Sequence, residues 1–227
     1  MTTIVFPIYP GVTQLDFTGP LQVLGNLPGA KVIVASVGGQ PVAAGGVTFS
    51  ALAPLEAIEA CDVICIPGGF GCTDAMQDAA YMQAVRRLAE GARYVTSVCT
   101  GSLILGAAGL LHGRRAACHW AWRHLLANFG AIPDDGRVVR DGHVFTGGGV
   151  TAGIDFALTL AAEIAGPVAA QAIQLGLEYA PAPPFNAGRP ERASPEVLAA
   201  VRARFTAVEA ARTAAVERVA AACAAGG

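Results

Sequence analysis

Short apolar runs rich in β-branched residues alternate with stretches in which apolar residues recur every three or four positions. Continuous apolar runs are typical of strands buried on both faces, and the wider spacing is typical of helices. The runs predict strands or hairpins over 4–8, 32–37, 42–50, 62–66, 93–98 and 138–145. The wider spacing predicts helices over 19–27, 79–91, 100–109, 120–129 and 151–165. We therefore predict an α/β fold, in which helices sandwich a mostly parallel sheet with β-hairpin additions.

Residues 1–180 are predicted to form this α/β domain, and residues 181–227 fall outside it. The second segment opens with a Pro-rich linker and continues as a long Ala-rich helix over about 195–222. An apolar stripe runs along that helix and breaks at Arg212, and before the break it comprises Leu198, Val201, Phe205 and Val208. Such a helix packs either on its own domain or on a dimer partner.

Composition narrows the class of protein. Hydrophobic residues make up 53% of the chain and charged residues 14%, against about 25% charged in an average domain, which excludes a disordered chain. The net charge is −2 and no long Lys/Arg run occurs, so no nucleic-acid partner is expected. No apolar stretch approaches the roughly 20 residues of a membrane span, and the first residues do not resemble a signal peptide. We therefore expect a cytoplasmic protein without a membrane partner.

One of the six cysteines stands in a distinctive context. Five of them read as core thiols, because no C-x-x-C pair and no metal-ligand spacing occurs. Cys99 instead follows a predicted strand in the pattern Ser-x-Cys-x-Gly, and a predicted helix begins directly after it. This is the arrangement of a nucleophile elbow with Cys in place of Ser. The helix N-terminus is expected to favour the thiolate and lower the pKa of Cys99.

A nucleophile needs a partner for proton transfer, and Asp16 is the candidate. It follows the first strand in the segment Gln-Leu-Asp-Phe-Thr-Gly-Pro. If that strand lies centrally, Asp16 reaches the same carboxyl edge of the sheet as Cys99. The alternative is that Asp16 caps the following helix.

Two glycine-rich segments also follow strands. Gly68, Gly69 and Phe70 come after a buried strand, where backbone N–H groups either face a ligand or merely form a turn. The segment Gly147–Gly153, which includes Val150, contains a weak match to the dinucleotide fingerprint. These glycines are better explained by a close approach of the backbone to the Cys99 pocket than by a dinucleotide site.

These segments together resemble the PfpI-type superfamily, whose members share a class I glutamine-amidotransferase-like, flavodoxin-type fold. Within it the chain resembles the members that hydrate isonitriles, and the resemblance covers almost the whole chain. The matching segments are QLDFTGP at 14–20, DVICIPGG at 62–69, RYVTSVCTGSL at 93–103, TGGGVTAGIDFAL at 146–158 and LEYAPAPPFNAG at 177–188.

The resemblance implies a homodimer that adds water to a small isonitrile, with no metal and no organic cofactor. Cys99 matches the nucleophile, and Asp16 matches the neighbouring acidic residue that serves as general acid and base. Thr100 stands where protease-like members carry His, which argues against peptidase activity. His119 matches a position that is often His in relatives, with either a pocket role or a structural one. Phe70 stands where a smaller residue is expected, which implies a narrower or more apolar pocket.

The implied chemistry suits these residue types. The Cys99 thiolate would attack the terminal carbon of the isonitrile and give a thioimidate, which water activated by Asp16 would convert to a formamide. The hydroxyl of Thr100 and the N–H of Gly69 would orient the water or the thioimidate nitrogen. Other classes remain open at this stage: a thiol redox sensor, a glyoxal-handling enzyme, the ligand-sensing domain of a transcription regulator, and a purely structural protein.

Overall fold

The computed structural model describes residues 1–225. In chain order its strands are β1 (Thr2–Pro7), β2 (Ala30–Ser36), β3 (Val42–Ala44), β4 (Val47–Phe49), β5 (Ala53–Pro54), β6 (Val63–Ile66), β7 (Tyr94–Val98), β8 (Arg115–Ala116), β9 (Ile132–Pro133), β10 (Val138–Asp141) and β11 (Val144–Gly147). Its α-helices are α1 (Gln14–Leu24), α2 (Cys72–Ala75), α3 (Ala79–Gly91), α4 (Gly101–Ala107), α5 (Ala152–Ala165), α6 (Pro167–Gly176) and α7 (Pro195–Ala225).

Seven strands form the main sheet in the order β10-β11-β7-β6-β1-β2-β5. Every pairing in it is parallel except the β10–β11 hairpin. The central strands β6 and β7 are buried over their whole length, as expected of strands with helices on both faces. The predicted α/β fold, with its mostly parallel sheet, its hairpins and its long C-terminal helix, is confirmed.

The strand order brings four loops to one edge of the sheet. Strands β1, β6, β7 and β11 are neighbours and run parallel, so the residues after each of them meet at their carboxyl ends. The chain leaves β1 toward β2 on one side and reaches β6 on the other, so the order reverses between β1 and β6. Ligand sites of open α/β sheets form at such a point.

Helix α1 begins earlier than the spacing of its leucines predicts. It runs from Gln14, not Gly19, and contains Pro20 in its interior. Proline in a helix removes one hydrogen bond and normally marks a boundary. Here the ring of Pro20 packs on α5, where a Cβ at Gly153 would lie 3.1 Å from Pro20 Cδ. We attribute the continuation of the helix to this tertiary contact.

The predicted C-terminal helix is confirmed and ends slightly later than expected. Helix α7 runs without interruption from Pro195 to Ala225 and contacts α2, α4 and the 3₁₀ turn Arg123–Phe129 of the same chain. Arg212 interrupts the apolar stripe of α7, as the sequence predicts, but its side chain is buried with the stripe and is only 3% exposed.

Smaller differences concern the middle of the chain. The predicted helix over 120–129 is a 3₁₀ turn confined to Arg123–Phe129, and α6 was not predicted. In residues 1–225 no helix is both long enough and apolar enough to cross a bilayer.

Candidate active site

Cys99 occupies a sharp turn between β7 and α4. Its φ is 59°, in the left-handed region that a side chain with a Cβ rarely adopts. Its backbone N–H donates to the carbonyls of Gly147 (3.0 Å) and Gly148 (2.8 Å), which tie the turn to the end of β11. Strain of this kind costs about 1–3 kcal/mol and persists only where the surroundings impose it. The glycine-rich loop therefore approaches Cys99 through its backbone.

Asp16 lies in the first turn of α1 and is fully buried. Its Oδ2 accepts a hydrogen bond from the N–H of Gly68 at 3.0 Å, so the carboxylate contacts the loop after β6 and does not cap its own helix. Its Oδ1 has no partner with hydrogen-bond geometry in the described residues. Burial raises the pKa of Asp16 to about 7, against opposing contributions from the Cys99 side chain and the Gly68 N–H.

Gly68 allows this close approach. A Cβ at this position would lie 2.7 Å from both Asp16 Oδ2 and Thr100 Oγ1. Gly68→Ala is therefore expected to lower the free energy of unfolding by about 1–3 kcal/mol, as overpacking does, and to lower activity with it. Urea denaturation measures the first effect.

The matched control is Gly91→Ala, where an added Cβ at the end of α3 would meet nothing within 4 Å. This variant is expected to keep the wild-type stability or to exceed it slightly. Equal stabilities for the two variants would contradict the steric argument.

Thr100 and Gly69 are joined by two hydrogen bonds. The Gly69 N–H donates to Thr100 Oγ1 at 2.9 Å, and the Thr100 hydroxyl lies 3.2 Å from the Gly69 carbonyl, to which it donates. The Gly69 N–H, which the sequence leads us to expect on water or on a thioimidate nitrogen, is thus donated to Thr100 Oγ1 in this structure. Both groups are already hydrogen-bonded and fix the loop after β6 to the elbow.

The surroundings of the Cys99 thiol keep it protonated. Burial and the charge of Asp16 raise its pKa well above the usual value, while the N–H groups of Thr100 and Val150 act in the opposite direction. The lowered pKa expected from the helix N-terminus is wrong, because α4 has only seven residues and desolvation dominates. The two N–H groups nevertheless face the sulfur and would stabilise negative charge that forms on it.

His119 is a neutral side chain in this site. Burial, assisted by the charge of Arg212, lowers its pKa to about 4. Its Nδ1 accepts from the Ala121 N–H at 3.3 Å, which leaves the proton on Nε2. The ring also packs on the glycine loop, where a Cβ at Gly149 would lie 3.1 Å from His119 Cδ2.

A cavity of about 280 Å³ opens over the thiol. Among the residues singled out from the sequence, its lining includes Gly69, Phe70, Cys99, Thr100, His119 and Val150. Asp16 and Gly68 lie outside the lining, and Asp16 is fully buried beside the thiol. Phe70 stands at the rim and is 60% exposed, so it adds apolar surface at the entrance.

Sequence reasoning missed five other lining residues, which are Thr13, Trp122, Arg204, Phe205 and Arg212. Three of them come from α7, which therefore forms one wall of the cavity. The sequence feature that could have found these three is Arg212, the charged residue that interrupts the apolar stripe of α7.

A second cavity of about 220 Å³ adjoins the first and shares His119 and Val150 with it. Arg123, Arg137 and Glu191 are among its lining residues, and Cys99 is not. The Cys99 thiol therefore lines the first cavity and not the second.

Similar proteins share this architecture. An isonitrile hydratase of Pseudomonas putida is 52% identical over 219 residues, which cover 95% of each chain. The crystal structure of a ThiJ/PfpI family protein from Pseudomonas syringae superposes with a TM-score of 0.90 at 40% identity, over 96% of this chain and 90% of the other. The crystal structure of Drosophila melanogaster DJ-1beta gives 0.71 at 26% identity, over 79% and 99%. Residues 2–163 match the model of the DJ-1/PfpI family, and the chain belongs to that family.

Proposed function

We propose that this protein is an enzyme that adds water to an isonitrile and releases an N-substituted formamide. The observation that carries the proposal is the pairing of Cys99, on a strained turn at the floor of a cavity, with a buried Asp16 whose pKa is about 7. The 52% identity to an isonitrile hydratase over nearly the whole chain supports the same reaction.

The cavity suits a small neutral electrophile. An isonitrile has an electrophilic terminal carbon and almost no hydrogen-bonding capacity, so its recognition relies on apolar contact. Phe70, Trp122 and Phe205 supply aromatic surface around the thiol. A volume of about 280 Å³ lies at the lower end of ligand pockets, which favours a small N-substituent.

The first chemical step joins sulfur and hydrogen to the same carbon. The Asp16 carboxylate takes the thiol proton as Cys99 Sγ bonds to the isonitrile carbon, and the N–H groups of Thr100 and Val150 stabilise charge on the sulfur. Asp16 then gives the proton to that carbon. The carbon–nitrogen triple bond becomes a double bond, and the product is a thioimidate with Asp16 again ionised.

Hydrolysis completes the cycle. Asp16 accepts a proton from water as the water oxygen attacks the thioimidate carbon, and Asp16 then donates that proton to the nitrogen. Collapse of the tetrahedral adduct forms the carbonyl, breaks the carbon–sulfur bond and returns the hydroxyl proton to Cys99. One water is consumed for each formamide released, and the protein ends in its starting state.

Product formation tests the proposed function directly. The purified protein is incubated with a simple aryl isonitrile in H₂¹⁸O, and the formamide is identified by mass spectrometry. The expected result is catalytic turnover with ¹⁸O in the formyl group. Quenched samples analysed by intact mass are expected to show an adduct with the mass of the intact isonitrile. Formamide no faster than in the protein-free control would overturn the proposal.

The rate should depend on pH through Asp16. Below about pH 7 the carboxyl group becomes protonated and can no longer accept the thiol proton, so kcat/KM should fall about tenfold per pH unit. The titratable neighbours Cys99, Tyr9 and Cys65 have pKa values raised by burial and stay neutral in this range. Rate measurements between about pH 5 and about pH 9 check this. A flat acid side would contradict the role of Asp16.

A redox-sensing role is less well supported. Sensor cysteines are accessible and have low pKa values. Cys99 is only 5% exposed, and burial raises its pKa.

The homodimer is also a proposal. Leu15 on α1, together with Val168 and Leu175 on α6, leaves apolar surface exposed on the isolated chain, as subunit interfaces do. Light scattering on the purified protein should give twice the mass of one chain, and a monomer mass would contradict it.

A further inference from the structure

Arg212 is a buried cation in the wall of the Cys99 cavity. It lies on α7, is only 3% exposed, and its Nη2 donates to the carbonyls of Gly69 and Phe70, each at 3.3 Å. Its guanidinium lies 4.4 Å from the ring centroid of Trp122 and 5.7 Å from that of Phe70. The C-terminal helix α7 thus holds the loop after β6 through the side chain of Arg212.

The charge of Arg212 is not neutralised by an acidic residue. In residues 1–225 it forms no ion pair with a carboxylate, and its buried Nε has no hydrogen-bond partner. Burial of an unpaired charge and of an unsatisfied donor opposes folding. Stability alone therefore does not explain why this apolar stripe contains an arginine.

The two carbonyls that Arg212 binds belong to the loop that holds the reacting groups. Gly68 N–H donates to Asp16 Oδ2, and Gly69 exchanges two hydrogen bonds with Thr100, the residue next to Cys99. A displacement of this loop would move the donor on Asp16 and the residue that follows the nucleophile. Arg212 on α7 is therefore linked to the Asp16 carboxylate through two consecutive residues, Gly69 and Gly68.

We propose that Arg212 is a positioning residue, which holds the loop 68–70 in the geometry that Asp16 requires for proton transfer. This inference rests on the proposed function for its role in turnover. The positioning itself does not depend on which reaction the site carries out: the guanidinium group of Arg212 holds the loop whose Gly68 N–H donates to Asp16. In the described residues the hydrogen bonds of Arg212 go to Gly69 and Phe70, and none goes to Cys99 or Asp16.

The test is Arg212→Met, which keeps the unbranched apolar stem of the side chain and removes its charge and donors. We expect kcat to fall about tenfold or more with KM changed less than about threefold, because positioning affects the chemical step. We also expect the acid limb of the pH profile to move up by about half a unit or more. A loosened Gly68 N–H stabilises the carboxylate less and so favours the protonated form of Asp16.

A second readout does not depend on isonitrile turnover. The rate of Cys99 alkylation by iodoacetamide is measured against pH. Because the Asp16 carboxylate takes the thiol proton as the sulfur reacts, this rate should rise through the pKa of Asp16, and that midpoint is expected to shift upward in Arg212→Met as well. Failure of the proposed function would abolish formamide production in the wild type and leave this shift in place. An unchanged kcat and an unchanged alkylation midpoint in a folded variant would overturn the role of Arg212.

Two further variants complete the design. Arg218→Met removes an exposed arginine from the same helix. Its pH profiles of turnover and of Cys99 alkylation are expected to match those of the wild type. Arg212→Lys keeps the charge without the planar fork and should recover part of kcat. If Arg212→Met does not fold, Arg212→Gln is measured in its place, with the same upward shift expected and an unchanged midpoint overturning the proposal.

Discussion

Cys99→Ser is expected to lower isonitrile turnover by at least about 10³-fold. A hydroxyl is far less acidic than a thiol, and an Asp16 carboxylate with a pKa of about 7 is too weak a base to activate it. The substitution leaves the backbone turn and its hydrogen bonds to Gly147 and Gly148 available. Loss of activity would therefore report on the sulfur and not on the fold.

The measurement combines formamide production with intact mass. The variant is expected to show neither turnover nor the isonitrile adduct. Cys61→Ser is the matched control, because Cys61 is also buried, donates to the Leu88 carbonyl and lies outside the cavity lining. Retention of more than about a tenth of the wild-type rate by Cys99→Ser would remove the thiol from the mechanism.

Asp16→Asn is expected to lower kcat by about 10²–10⁴-fold, the usual contribution of a general acid and base. The amide oxygen can still accept the Gly68 N–H, so the loop keeps its anchor while the proton-transfer group is lost. The residual rate should also lose the acid limb near pH 7, because no carboxyl group remains to titrate there. The control is Asp74→Asn, at an exposed carboxylate outside the cavity lining. It is expected to leave kcat and the acid limb of the pH profile unchanged.

The stability of Asp16→Asn distinguishes a catalytic role of Asp16 from a structural one. A carboxyl group whose pKa is raised from 3.8 to about 7 on folding contributes stability below the lower value and loses it as the pH rises through the upper one. At about pH 8 the neutral Asn variant is therefore expected to unfold at no lower urea concentration than the wild type. A marked drop in its stability at that pH would assign Asp16 a structural function instead.

The α/β fold was predictable because its signals are local. The continuous apolar run at 62–66 identifies a strand buried on both faces, and the Asp141-Gly142 pair identifies the β10–β11 hairpin. The start of α1 was not predictable, since only the contact of Pro20 with α5 explains why a proline lies inside that helix. Local patterns do not encode contacts between elements that are distant in sequence.

The same distinction applies to the candidate site. Cys99 and Asp16 follow strands, so topology alone suggested that they share one edge of the sheet. The direction of the Cys99 pKa shift was wrong, because the sequence shows the helix that follows but not the depth of burial. Arg212 was taken for a break in an apolar stripe, since its partners are backbone carbonyls of a loop near residue 70 and carry no sequence signature.

The wall that α7 contributes has a consequence for how the enzyme is made. A ribosome delivers the chain from its N-terminus, and domains begin to fold as they emerge. Strands β1, β6, β7 and β11, with the elbow of Cys99, are complete well before residues 195–225 have been synthesised. A newly made chain therefore passes through an interval in which the sheet is assembled and the thiol lacks its cover.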